Sequence, residues 1–141
     1  MKVYVLDTSV VGFIEQSHPA VISRLQALPA SDVVATSIVT IGETFNGWLS
    51  VCRRARGGAE RLEAYSRMQK SFEFYRGMLC LPFDDIASAI FDQLMRRKIH
   101  IGANDLSIAA ITLSVNGILV TRNIVDFQRI SELVIEDWTK S

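Results

Sequence analysis

Lys2-Val3-Tyr4-Val5-Leu6-Asp7-Thr8-Ser9 opens the chain, and its reading sets the fold. Lys2 to Leu6 is a β-branched, apolar run too short for a helix, which predicts a buried strand. Asp7, Thr8 and Ser9 carry the short polar side chains that accept from the free N–H groups of a helix start. Strand, acid, helix is therefore the first unit, with Asp7 at its junction.

The unit then repeats. Val33 to Thr36 reads as a second strand, and Ser37 can cap a long helix in which Val39, Glu43, Gly47 and Val51 fall one turn apart, so Glu43 lies one turn in from the strand end. Between these units, His18-Pro19 starts a helical stretch with an apolar stripe of Val21, Ile22, Leu25 and Leu28. Gly57-Gly58 breaks the long helix, after which Leu62, Tyr65, Met68, Phe72 and Tyr75 recur at helical spacing; the two segments predict a projecting helical hairpin.

Met78 to Pro82 predicts a third strand, followed by Asp84 as a cap and an amphipathic helix carrying Ile86, Ile90, Phe91 and Leu94. Ala103 to Val115 is apolar almost all round and belongs in the interior. Asn116-Gly117 ends it, Ile118 to Thr121 supplies a fourth strand, Asp126-Phe127-Gln128 a short turn, and Leu133 to Ile135 a last strand. Short apolar strands alternating with helices predict an α/β fold, a three-layer α/β/α sandwich on a mostly parallel central sheet, in one domain over residues 1–141. In such sheets ligands bind beyond the carboxyl ends of the strands.

A chain of 141 residues can bury a core without staples or partners. Cys52 and Cys80 have no second Cys or His at metal-ligand spacing, and a reduced, cytoplasmic setting is the default expectation. The start lacks the pattern of an export signal, and no apolar stretch approaches the roughly 18 residues of a membrane helix. The fifteen basic and fifteen acidic residues are unevenly placed: from Arg53 to Arg76 seven basic side chains stand against three acidic ones, leaving eight against twelve elsewhere. A basic arm on an acidic body suits a polyanion beside a cation site, although on charge alone a solvated helical face is the simpler explanation of the run.

Asp7, Glu43, Asp105, Asn123 and Asp126 all fall at strand ends or helix starts on one predicted edge. Singly, each has a structural explanation: a helix cap, an exposed polar position, a first-turn acid, a turn former. Jointly, carboxylates in a partly dry pocket repel one another unless a cation compensates. Oxygen donors without Cys or His favour a hard ion, Mg²⁺ or Mn²⁺. Phosphodiester hydrolysis through an activated water is chemistry that such a site supports.

Four segments then carry a resemblance: Val5-Leu6-Asp7-Thr8-Ser9, Ile41-Gly42-Glu43, Ala103 to Ala110 with Asn104-Asp105 at its start, and Thr121-Arg122-Asn123-Ile124-Val125-Asp126-Phe127. In this order they resemble the PIN-domain nucleases, specifically VapC-type toxins of type II toxin–antitoxin systems. The closing Glu136-Asp137-Trp138 looks like that family's ending. The resemblance implies a Mg²⁺-dependent endoribonuclease acting on RNA, a homodimer held inactive by a cognate antitoxin. It makes Asp7, Glu43 and Asp105 metal-binding acids and Thr8 and Thr121 site-lining hydroxyls, with the fourth position shared between Asn123 and Asp126.

Two other readings compete. A receiver or phosphatase domain also places an acid after its first strand, but this chain has Ser9 where such a phosphatase needs a second acid and Thr121-Arg122 where a receiver needs a lysine. A non-catalytic module that keeps the PIN fold and acts through partners has no use for an intact set of carboxylates.

Overall fold

In the computed structural model, which describes residues 1–140, side chains of the first strand, β1 (Val3–Leu6), alternate between two hydrophobic clusters. Val5 and its neighbour Leu119 face one side, whereas Tyr4, Leu6 and Val120 face the other. This period of two, apolar on both faces, is what a central parallel strand requires. β1 pairs with β2 (Val33–Ser37) and β4 (Ile118–Val120), and β3 (Leu79–Leu81) and β5 (Val134–Glu136) lie outside them, in the order β3-β2-β1-β4-β5. All four pairings are parallel, so the sheet is wholly rather than mostly parallel.

Helices cover both faces. On one side α5 (Asp85–Arg96), α6 (Ala103–Ser114) and the short α7 (Ile124–Phe127) contribute Leu94, Leu106, Ile108 and Phe127 to the core. On the other, α1 (Thr8–Glu15) and α2 (Pro19–Gln26) contribute Val10, Val11 and Val21, joined by Tyr75 from α4 (Gly57–Arg76) and by Phe45 from α3 (Ile38–Arg54). Trp138, fully buried after β5, closes this second cluster against Tyr4.

The predicted caps form. Asp7 Oδ1 accepts from Val10 N (3.2 Å), Ser37 Oγ from Thr40 N (3.1 Å) and Asp84 Oδ1 from Ala87 N (3.0 Å), each replacing one lost helix-end hydrogen bond at about 1 kcal/mol. His18 caps α2 through Nδ1.

The hairpin differs from expectation in two respects. The break between α3 and α4 falls at Ala55-Arg56; Gly57 instead begins α4, with φ +67°. The residues spaced along α4 also do not share one buried face: Leu62, Tyr65 and Phe72 are exposed, while Ala64, Ser71 and Tyr75 are buried. Polar contacts join the packing of Phe45 on Tyr75 in the seam, Thr44 Oγ1 with Tyr75 OH at 2.7 Å and Trp48 Nε1 donating to Ser71 Oγ at 2.8 Å. The segment 126–128, expected as a turn, straddles the end of α7. Among the described residues no helix is long and apolar enough to cross a membrane.

Candidate active site

Because every strand runs the same way, the residues that follow β1, β2 and β4 emerge at one edge of the sheet. Asp7 is the innermost, 8% exposed, with Oδ1 accepting from Ser9 Oγ (2.9 Å) as well as from Val10 N. Its Oδ2 accepts from the fully buried hydroxyl of Thr121 across the β1–β4 pairing. Thr121 in turn accepts from Asn123 N at 2.9 Å, which commits its single proton to Asp7. Burial pushes the Asp7 carboxyl up from its ordinary range, and the hydrogen bonds from Thr121, Ser9 and Val10 oppose that rise.

Glu43 stands one turn into α3 and is held by two neighbours. Thr8 Oγ1 donates to its Oε1 at 2.7 Å, and Asn104 Nδ2 donates to its Oε2 at 3.4 Å. The hydroxyl at the start of α1 and the amide at the start of α6 thus bracket one carboxylate. Asn104 was not among the expected site residues, although its place next to Asp105 in the first turn of a buried helix was the available signal.

Asp105 is half-buried on that same turn, and its carboxyl is raised first by burial and then by the negative charges of Glu43, Asp7 and Asp126. Those three repulsions identify the residues whose charges converge on Asp105. Asp126 lies on α7, where Asn123 Nδ2 donates to its Oδ2 at 3.1 Å. The two candidates for the fourth position are therefore bonded to each other. Asp84 stands apart from this group as the cap of α5.

Asp7, Glu43, Asp105, Asn123 and Asp126 offer oxygen donors, the kind a hard cation takes. Among the described residues, no three acids, cysteines or histidines stand close enough to enclose one ion directly. A Mg²⁺ or Mn²⁺ site does not need that, because such ions keep several waters and take one or two carboxylates. Three carboxylates whose charges bear on Asp105, with no lysine or arginine hydrogen-bonded to Asp7, Glu43, Asp105 or Asp126 among the described residues, fit a hydrated divalent ion.

The PIN domain profile matches residues 4–133. The chain is similar to Ribonuclease VapC1 of Haemophilus influenzae strain R2866, at 28% identity over 141 residues, covering 98% of this chain and 99% of that one. Of solved structures, VapBC-1 from nontypeable Haemophilus influenzae is similar with a TM-score of 0.76 at 25% identity, covering 98% of this chain and 99% of that one. VapBC-5 from Mycobacterium tuberculosis, a member of the VapBC family of toxin-antitoxin systems, is similar with a TM-score of 0.63 at 26% identity, covering 97% and 99% respectively. With its profile running through β1, the acid-bearing helices and the β4 edge, the chain belongs to the PIN-domain family.

Proposed function

We propose that this protein is a metal-dependent endoribonuclease, the toxin of a toxin–antitoxin pair, with Asp7, Glu43, Asp105 and Asp126 as its working acids. The observation that carries the reading is the convergence of the charges of Glu43, Asp7 and Asp126 on Asp105 at the carboxyl edge of a parallel sheet. A fold can cap its helices without bringing those charges together. The names of the similar proteins support RNA as the substrate and a protein antitoxin as the partner.

In this reading Asp7, Glu43, Asp105 and Asp126 would hold a hydrated Mg²⁺ or Mn²⁺, with Asn123 orienting Asp126. When bound, such an ion would offset the charge developing on phosphorus and make water a better nucleophile. Thr121 keeps the Asp7 carboxylate oriented and ionised by donating to Oδ2. Thr8 and Asn104 fix Glu43, leaving its remaining lone pairs for a water at the scissile bond. The exposed basic side chains of α3 and α4 attract the RNA backbone, with a steep salt dependence. A homodimer belongs to the same proposal.

Purified protein is expected to cleave RNA in Mg²⁺ or Mn²⁺ and to stop on chelation, with Asp7→Ala and Asp105→Asn inactive but folded. Cleavage that persists in chelator, or active Asp105→Asn protein, overturns it.

A further inference from the structure

The ribonuclease reading is the basis here, and the inference concerns where a neighbouring nucleotide of the substrate sits. Thr8, Gly12 and Glu15 share one face of α1, and Glu43, Gly47 and Trp48 share one face of α3. Between these faces lies a groove of about 350 Å³ that begins at Glu43. Past Trp48 it continues into a hollow of about 270 Å³ whose rim carries Arg67 and Lys70. The helix rises about 10 Å from Thr8 to Glu15, so the path joins the acids to the basic face of α4.

Two features furnish this groove. Gly12 and Gly47 lie inside helices, where glycine is a weak helix former. A Cβ at either would meet nothing within 4 Å, so packing does not demand them, and their effect is to leave bare backbone on both walls. Glu15 is the second feature. Trp48 Nε1 donates to the buried Ser71 Oγ, which donates to Glu15 Oε2 at 3.0 Å, so the protein interior fixes a carboxylate that stands at the surface. Arg67 lies over the Trp48 ring at 4.8 Å, bringing its charge to the end of the same groove.

The geometry points to a nucleotide subsite, in which a base lies along the glycine walls beside Trp48, Glu15 accepts from its N–H edge, and an adjoining phosphate meets Arg67 and Lys70. Charge selects the class of occupant. At the far end of the groove Arg67 and Lys70 stand against Glu15 alone, which favours a phosphate over a basic peptide there. An ionised carboxylate only accepts, so it favours guanine, with two adjacent N–H donors on its pairing edge, over uracil, whose single donor lies between two acceptors. That edge is free only in an unpaired base, so the ligand is single-stranded RNA presenting guanosine.

The test is binding by the full-length protein in EDTA of two short labelled single-stranded RNAs that differ by one central guanosine or uridine. The guanosine strand should bind roughly tenfold more tightly, within the range of one bidentate pair. Glu15→Gln should bring the ratio to about one, and Gly47→Leu should weaken both strands at least tenfold without lowering the melting temperature. Absence of binding, a wild-type ratio near one, or a ratio that survives Glu15→Gln overturns the subsite. RNA binding untouched by Gly47→Leu also overturns it and leaves the groove to a protein segment. Cleavage of the same strands in Mg²⁺ reads the parent proposal separately: a preserved binding preference without cleavage sinks the ribonuclease reading and keeps the subsite.

Discussion

Replacing Thr121 with valine keeps the shape of a fully buried side chain and removes its hydroxyl. Two hydrogen bonds go with it, the one donated to Asp7 Oδ2 and the one accepted from Asn123 N. A hydrogen bond to an ionised group contributes about 1.5–3 kcal/mol, and the half-buried Asn123 N–H can recover part of its loss from water, so the net cost is about 2–3 kcal/mol. For a chain of this size that lowers the melting temperature by roughly 5–10 °C. Thr121→Ser is the control, since it keeps both bonds and loses one methyl group, about 1 kcal/mol. The sign with pH also follows. Asp7 already has a raised folded-state pKa, and loss of the Thr121 donor raises it further. The folded state then holds its proton to higher pH than the unfolded chain, so stability falls as pH rises from the unfolded value through the folded one. The valine deficit should therefore be largest near neutrality and smaller in acid, where Asp7 is protonated in both states. Urea unfolding of the metal-free variants across pH measures it. Valine costing no more than serine at neutral pH would refute the assignment of Thr121 as the donor that holds Asp7.

Asp105→Asn should stabilise the metal-free protein at neutral pH while abolishing cleavage, because the wild-type carboxylate is raised by burial and by Glu43, Asp7 and Asp126; unfolding at several pH values should show the gain fading towards the ordinary carboxylate range. Mg²⁺ or Mn²⁺ should raise the wild-type melting temperature in a concentration-dependent and EDTA-reversible manner, and Asp105→Asn should blunt that rise in a thermal-shift titration. Gly47→Ala should add about 0.5–1 kcal/mol to stability in urea unfolding, since the new Cβ meets no atom within 4 Å and alanine is the better helix former.

Local signals made most of the fold legible. Asp7, Ser37 and Asp84 each stand between an apolar run and a helical period, and each accepts from the backbone N–H three residues on. The apolar circumference of α6 likewise announced its interior position. Pattern reading failed at α4, where Leu62, Tyr65 and Phe72 point outward because the helix docks through the small or polar Ala64 and Ser71 and through Tyr75. Hydrophobic periodicity detects apolar seams and is blind to the share of one that hydroxyls and an indole N–H make. Burial explains the behaviour of Tyr75 there, its phenol being pushed up to about 12 and so remaining a neutral partner for Thr44. At the site, Asp7, Glu43 and Asp105 were marked by their positions at strand ends and helix starts. The Asn123–Asp126 bond, the hold of Asn104 on Glu43 and the fixing of Glu15 by Ser71 depend on tertiary pairing. Glu15 and Ser71 are 56 residues apart, and no local spacing encodes such a contact.

Asp7 and its hydroxyl donor Thr121 are 114 residues apart, and Arg24 and Glu136, which tie α2 to β5, are 112 apart. The central strand therefore receives the hydroxyl donor of its acid only after β4 has been made. A ribosome releasing this protein exposes β1, Asp7 and Glu43 early, but any chain interrupted before β4 lacks Thr121, Asn123 and Asp126 together. The order of the strands thus keeps the residues proposed for the site from meeting until β4 and α7 have both emerged.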